Sequence, residues 1–308
     1  MTQSKLTKPY MIWLMAAFCC LLWGSAFPAI KAGYAALSIN NADTFSIILF
    51  AGVRFFGAGV LTLIIFSFVE RRLLIPRKSD LPKIGVLSLF QTVLQYLFFY
   101  LGLAFTSGSR ASIVNSTSVF FAILIASLLF HQEKLTAQKF IGSAIGFAGV
   151  VLVSLDAFRT GGSLLGEGFT LLSSVSYAFS SVFMKKYSTD ASPAMLSGCQ
   201  FILGGAVMVA VGLLGGGNIK DADLKGTAIV VWLMLVSALA YSIWSILIRY
   251  NNVSKVAVCG FLTPIFGFVL SLLFDSSSAA GGLLAIPALA LAVCGIIIVN
   301  QSKFYNKK

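Results

Sequence analysis

Apolar residues fall along this chain in long runs separated by short polar turns, near 10–32, 46–69, 83–105, 110–130, 138–156, 165–186, 193–214, 227–249, 254–274 and 283–301. A helix needs about 20 apolar residues to cross the hydrocarbon of a bilayer, and each run is close to that length. The turns between them are rich in Gly, Ser, Asn, Pro or charge. The pattern predicts ten transmembrane helices in an all-α integral membrane protein. The first run is followed by no obvious cleavage site and by nine more runs, so it reads as a retained helix and not as a signal peptide.

Composition excludes a water-soluble fold. The 308 residues are 58% hydrophobic and only 10% charged, against about 25% charged in a soluble domain. Enzyme chemistry is also poorly supplied. The single His, His131, stands at the end of a run beside Gln132 and Glu133 and reads as a solvated interfacial residue. No HExxH, GxxxxGK or strand-borne GxGxxG is present, so no catalytic residue, cofactor or metal is expected. The five cysteines (Cys19, Cys20, Cys199, Cys259, Cys294) lie inside apolar runs without a CxxC pair and read as small core residues. Gly161-Gly162 and Gly166 through Gly168 read as a flexible outer loop.

The chain carries 22 Lys and Arg against 10 Asp and Glu, a net charge of +12. In a soluble protein that excess would suggest nucleic acid. Here the basic residues sit between apolar runs, where they orient a membrane protein, and no nucleic-acid partner is expected. With the N-terminus inside, the inner side holds Lys5, Lys8, Arg71, Arg72, Arg77, Lys78, Lys83, Lys134, Lys139, Lys185, Lys186, Arg249, Lys255, Lys303, Lys307 and Lys308. The outer side holds Lys31, Arg110, Arg159, Lys220 and Lys225, and Arg54 lies within a run. Sixteen against five predicts two cytoplasmic termini, an even number of spans and a multi-pass protein of the inner (cytoplasmic) membrane. All ten acidic residues fall in turns or at the ends of runs.

The chain also repeats itself. Setting 20-CLLWGSAFPAIK-31 against 174-SVSYAFSSVFMK-185 brings Trp23 opposite Tyr177 and Lys31 opposite Lys185. The stretch 52-GVRFFGAG-59 aligns with 198-GCQFILGG-205, Tyr96 with Tyr241, 127-SLLF-130 with 271-SLLF-274, and 149-GVVLV-153 with 295-GIIIV-299. The offsets of 154, 146, 145, 144 and 146 keep the halves in register. Five spans per half is an odd number, so the second copy enters the membrane from the opposite face.

Polar residues inside the runs are costly in hydrocarbon and face a cavity or another helix. Gln91 and Gln95, four apart, share a helix face with Tyr96 beside them. Ser112, Asn115 and Ser116 share another, as do Ser173, Tyr177 and Ser180, and Ser237, Tyr241 and Trp244. The serines suit close helix packing as well as a cavity, as Gly142, Gly146 and Gly149 suit packing. The amides of Gln91, Gln95 and Asn115 favour a cavity. For Trp23, Tyr177, Tyr241 and Trp244 both roles stay open. Arg54 needs a partner, and no carboxylate lies at its depth; backbone carbonyls at a broken helix, snorkelling or an anionic solute group are the alternatives.

These residues resemble the ten-helix EamA-like transporters of the drug/metabolite transporter superfamily. The resemblance runs from about Trp13 to Asn300. It is carried by the Trp-Gly-Ser-x-Phe stretch at Trp23 to Phe27, Arg54-Phe55, 104-AFTSGSRASIVNSTSVFFAIL-124, Glu133 and 261-FLTPIFGFVLSLLF-274. Two features depart from the family pattern. The Pro usual in the fourth span is missing from 117-TSVF-120 while Pro264 is present in the ninth, and 275-DSSS-278 replaces the usual Glu. The departures weaken the expectation of a symmetric kink or acidic pair.

The resemblance implies two EamA-like five-helix repeats, 1–156 and 157–308, working by alternating access around a midplane cavity. Its substrate-binding candidates are Trp23, Gln91, Gln95, Tyr96, Asn115, Tyr177, Tyr241 and Trp244. Arg54, Pro28 and Pro264 are expected in gating or structural roles. With no membrane-buried carboxylate to exchange a proton for a cationic drug, the expected cargo is a small neutral or zwitterionic metabolite such as an amino acid, with export favoured. The expected partners are that solute and membrane lipid, and the expected state is a monomer or weak homodimer. An uptake carrier or drug exporter of the same fold, a membrane receptor or scaffold, and a membrane enzyme are the alternatives.

Overall fold

A backbone in hydrocarbon can satisfy its N–H and C=O groups only along its own helix or in a closed barrel, and each apolar run folds as a helix. The computed structural model describes residues 6–40, 42–106, 108–153, 155, 163–219, 223–274 and 282–301. Among these there is no strand. The helices are α1 (Pro9–Ala36), α2 (Thr44–Glu70) and α3 (Lys78–Phe105), the last carrying a π-helical turn at Ser88–Leu94. Then comes α4, in the pieces Gly108–Ser116, Ser118–Leu124 and a π turn Ile125–Leu129, followed by α5 (Ala137–Val153) and α6 (Leu164–Tyr187). The remaining helices are α7 (Pro193–Leu214), α8 (Leu224–Tyr250), α9 (Val253–Ala257, a 3₁₀ turn Val258–Phe261, Leu262–Phe274) and α10 (Gly282–Asn300).

Among the described residues six stretches are long and apolar enough to cross a membrane: α1, α2, α3, α7, α8 and Val253–Leu270 of α9. Ile113–Leu129, Ala137–Leu152 and Ile286–Asn300 are shorter apolar helices. Ten transmembrane helices were the expectation; α6 is long enough but less apolar, because Ser173, Ser174, Ser176, Ser180 and Ser181 lower its mean hydropathy, and all five are buried against neighbours. The outer surface is apolar, with Leu14, Phe56, Ile64, Phe68 and Leu203 among the exposed side chains. Together with the long apolar helices this makes a multi-pass membrane protein.

Helix ends follow local chemistry. Asp43 caps α2, accepting from the Ser46 hydroxyl (2.6 Å) and amide (3.1 Å), bonds that hold its carboxyl below the ordinary carboxylate pKa. Asp223 caps α8 through the Gly226 amide (2.6 Å). Ser163 caps α6 through the Gly166 amide (3.2 Å), so Gly166 to Gly168 open a helix and do not form the loop the sequence suggested. Gly166 lies there because its backbone meets Gly102 and Phe105 of α3. Gly161-Gly162 lie outside the described residues.

The helices α4 and α9 are interrupted at matching places. Pro264 lacks the N–H that would bond to the Gly260 carbonyl, and the turn before it is 3₁₀. In α4 no proline is present, yet the helix breaks at Thr117, whose hydroxyl turns back onto the Val114 carbonyl at 2.5 Å. With the offset of 144 from the 127/271 match, Thr117 corresponds to Phe261, the last residue of the 3₁₀ turn.

Helices approach most closely through glycine. On α2 and α7, which run antiparallel, a Cβ on Gly59 would lie 2.6 Å from the Gly198 carbonyl oxygen, and one on Gly205 would lie 2.9 Å from that of Gly52. On α5 and α10 a Cβ on Gly142 would lie 2.9 Å from the Gly295 oxygen, and one on Gly149 would lie 2.6 Å from that of Ala288. Without a hydrophobic drive between helices in lipid, such backbone contact is what holds them together.

One end of the bundle is tied by polar groups. Glu133, with its side chain 2% exposed, pairs with Lys139 (3.1 Å) and accepts from the Ser254 amide (3.1 Å) and hydroxyl (2.8 Å) at the start of α9. Lys185 at the end of α6 donates to the carbonyls of Arg249 (3.1 Å) and Asn251 (2.6 Å), and Asn251 reaches the Leu6 carbonyl (3.1 Å). Gln138 donates to Ile298 and to Gln301 (2.8 Å), and Ser192 to Glu70 (2.6 Å).

Two variants test the glycine contacts. Gly52→Leu, whose added Cβ would come 2.6 Å from the Val209 amide nitrogen, is expected to lower stability by about 2 kcal/mol or more. Gly85→Ala, in a helix with nothing within 4 Å, should be neutral or stabilising by up to about 1 kcal/mol. Thermal unfolding in detergent reads both, and equal midpoints would refute the contact. Glu133→Ala leaves buried Lys139 unpaired and should cost about 3 kcal/mol in the same assay; an unchanged midpoint would show the pair to be dispensable.

Candidate functional site

The aromatic residues of α1, α2, α3, α7 and α8 converge at mid-helix. Trp23 meets Tyr241 and Trp244 edge-on, each at 5.0 Å between ring centroids. Tyr241 lies 5.0 Å from Phe201, which stacks on Phe55 at 5.2 Å, and Phe55 lies 4.3 Å from Tyr96. The hydroxyls of Tyr96 and Tyr241 share a hydrogen bond of 2.6 Å, closing the ring of contacts. Tyr241 and Trp244 are buried, whereas Trp23, Tyr96 and Tyr177 remain half-buried while packed on the same core.

Polar groups surround this cluster. Gln91 and Gln95 hang from or next to the π turn of α3, and each has a buried Oε1 without a hydrogen-bond partner among the described residues. The Gln95 carbonyl accepts from the Ser173 hydroxyl of α6 (2.7 Å). Tyr177, one turn along α6, has its carbonyl taken by Ser180 (2.7 Å) and Ser181 (3.1 Å). These serines are occupied in satisfying helix backbone, which is the packing role. The Trp23 Nε1 and the Tyr34 hydroxyl are buried and unpartnered among the described residues. Asn115 is half-buried on α4, beside Val114, whose carbonyl accepts from Ser174 of α6 (3.2 Å). The Ser112 side chain lies outside the description.

Arg54 sits near the middle of α2 with 3% of its surface exposed. Its Nε and Nη2 both donate to the Ser237 hydroxyl of α8, at 3.3 and 3.0 Å, and its guanidinium carbon lies 4.9 Å from the Phe55 ring centroid. Among the described residues no carboxylate pairs with it. Asp43 and Asp223 cap helices, Glu70, Asp80, Glu133 and Asp190 pair at helix ends, and Asp156, Asp221 and Asp275 lie outside the described residues.

The two prolines stand at the crossing of α1 and α9. Pro28 interrupts the α1 ladder at the carbonyl of Gly24, and Gly24 is where α1 touches Phe266 and Gly267, three residues past Pro264. Three polar neighbours of the cluster do not stand out in the sequence: Tyr34, Tyr100 and Gln200. Gln200, fully buried, accepts from the Thr92 hydroxyl (2.6 Å). The repeat alignment carries its signal, because it sets Gln200 opposite Arg54. A recess of about 570 Å³ lies elsewhere, at the end of α4 beside His131, Gln132 and Glu133.

Among the described residues no group of His, Cys, Asp and Glu is arranged to hold a metal. The arrangement offers hydrogen bonding, aromatic surface and one buried positive charge, which is chemistry for binding a solute. The description "EamA-like transporter family" matches the chain twice, over residues 10–155 and 164–301. An uncharacterized transporter of Archaeoglobus fulgidus is 28% identical over 289 residues, covering 92% of this chain and 94% of its own. The uncharacterized transporter YvbV of Bacillus subtilis is 29% identical over 300 residues, covering 96% and 93%. A solved crystal structure shares the fold with a TM-score of 0.73 at 18% identity, covering 94% of this chain and 97% of that one. These relatives are named as transporters and not as enzymes, and the protein is a membrane transporter that belongs to the EamA-like transporter family.

Proposed function

We propose that the protein is a secondary carrier that moves a small neutral or zwitterionic metabolite, an amino acid or a related compound, across the cytoplasmic membrane by alternating access, with export favoured. In this reading residues 1–156 and 157–308 are inverted five-helix units that rock about a midplane site. The site is formed by Trp23, Gln91, Gln95, Tyr96, Tyr177, Tyr241 and Trp244, with Asn115 at its α4 margin. It needs no cofactor and meets only solute and lipid, as a monomer or weak homodimer.

The observation that carries the reading is the hydrogen bond between Tyr96 and Tyr241. The two tyrosines are repeat mates, and a residue can touch its own mate only beside the axis relating the halves. Phe55 and Phe201 are mates as well, and they stack. Exchanging mates turns the Gly59–Gly198 contact into Gly205–Gly52, and Gly142–Gly295 into Ala288–Gly149; all four approaches occur. Opposed directions support the inversion, since the start of α1 and the end of α6 both reach Asn251. Unpartnered polar atoms and half-buried rings on that axis suit a solute site. The acids at helix ends favour a cargo that needs no buried carboxylate.

The basic end of the bundle, where Leu6 and Gln301 both lie, is assigned to the cytoplasm by its excess of Lys and Arg. A fluorescent reporter that matures only in the cytoplasm should therefore light up at either terminus and stay dark when inserted after Leu155; the reverse would overturn the orientation. Cargo and direction are tested by profiling metabolites in the medium of deletion and overexpression cells. Gln95→Ala should cut the protein-dependent efflux about tenfold, the range of losing one or two solute hydrogen bonds, at an unchanged membrane level. Unchanged efflux would remove Gln95 from the site.

A further inference from the structure

We propose that Arg54 is the anion-binding group of this site and receives the carboxylate of a zwitterionic solute, an inference that rests on the transport reading above. A buried guanidinium carries five N–H donors and no acceptor. In this protein two of its nitrogens share one neutral hydroxyl, that of Ser237. A single hydroxyl neither neutralises the charge nor uses the remaining donors. The Phe55 ring adds a quadrupole, not an anion.

The ordinary ways of keeping an arginine in a membrane do not apply. The nearest carboxylates along α2 are Asp43 and Glu70 at its ends, about 16 and 24 Å away at 1.5 Å per residue, and both are engaged by Ser46, Arg72 and Ser192. Helix α2 is unbroken through Arg54, so its carbonyls are spent on its own ladder. Snorkelling would expose the head group, yet the residue is 3% exposed and bonded to the middle of α8. A cation held this way has paid its desolvation cost without its counter-charge, and a small bidentate anion is the partner whose shape completes it.

The same region offers the complement. The buried Oε1 atoms of Gln91 and Gln95 have no donor among the described residues, and Trp23 and Tyr241 supply aromatic surface in the cluster that Tyr96 joins. Carbonyl oxygens with aromatic faces suit an ammonium, as Arg54 suits a carboxylate. The repeat mate of Arg54 is neutral Gln200, so the site has a positive side and an uncharged side and orients a dipolar solute.

The test uses the full chain purified in detergent and reads the unfolding midpoint. The probes are the common L-amino acids and, separately, the same compounds as C-terminal amides, which keep the side chain and mask the carboxylate, with lactate and acetate as simple carboxylates. Expected is an acid that raises the wild-type midpoint by about 2 °C or more through ligand linkage while its amide does not. Arg54→Gln should abolish that rise, and Arg54→Lys should require about tenfold more ligand, because an ammonium keeps the charge without the fork. The proposal is overturned if amides protect as well as acids, if acids protect Arg54→Gln as they protect the wild type, or if no carboxylate in the panel separates the two proteins. Should Arg54→Gln not fold, Arg54→Lys and the acid-against-amide comparison on the wild type decide by the same criteria. Binding and movement are read apart: a protein that binds acids but moves no solute refutes the transport reading and leaves Arg54 standing, whereas one that exports only solutes without an anionic group does the opposite.

Discussion

The contact between α2 and α7 is the constraint on which the rest depends. Two helices surrounded by lipid gain nothing from hiding apolar surface from each other, so they must touch closely enough for dispersion and shape to hold them. Gly52, Gly59, Gly198, Gly205 and Gly212 remove the side chains that would keep the backbones apart. The same approach sets the functional geometry. Phe55 and Phe201 stack across it, Tyr96 and Tyr241 are brought within hydrogen-bonding distance beside it, and Arg54 is turned toward α8. A side chain added at the crossing would therefore disturb the aromatic cluster and stability together.

The charges divide the molecule into unlike ends. At the basic end, Glu133, Lys139, Lys185, Asn251 and Gln138 join α4, α5, α6, α8, α9 and α10 through side chains that reach another helix's backbone. At the other end the described acids Asp43 and Asp223 cap their own helices and cross-link little. Of the first set, the bonds from Glu133 to Ser254, from Gln138 to Ile298 and Gln301, and from Asn251 to Leu6 join the first half of the chain to the second, whereas Glu133 with Lys139 and Lys185 with Arg249 and Asn251 lie within one half.

Much of this was legible in the sequence, because a helix in lipid writes its length directly into an apolar run. The run at 193–214 is α7 to the residue, and most others agree within a few positions. The convergence of Trp23, Tyr96, Tyr241 and Trp244 was also legible, through the 4-then-3 spacing of α8 and the match of Tyr96 to Tyr241. What stayed hidden depends on neighbours distant in sequence. The π turns of α3 and α4 insert a residue without changing the apolar pattern. That Ser237 alone would hold Arg54 depends on the rotation of α8 against α2, which periodicity does not specify. The serines of α6 could pack or bind by sequence alone; the acceptors they find, backbone carbonyls of α3, α4 and α6, settle several of them as packing groups. Gly166 at the opening of α6 reads as loop because composition cannot register that α3 packs where its side chain would be.

The interruptions in α4 and α9 stand at matching places but are made of different materials. At Pro264 the ladder hydrogen bond is absent from the covalent structure, and no motion of the protein can restore it. At Thr117 the break is held by a hydroxyl on the Val114 carbonyl, a bond worth about 1 kcal/mol, and the Phe120 amide opposite Pro264 remains a donor. The interruption in α9 is therefore written into the covalent chain, whereas the one in α4 rests on a side-chain hydrogen bond that a single substitution would remove.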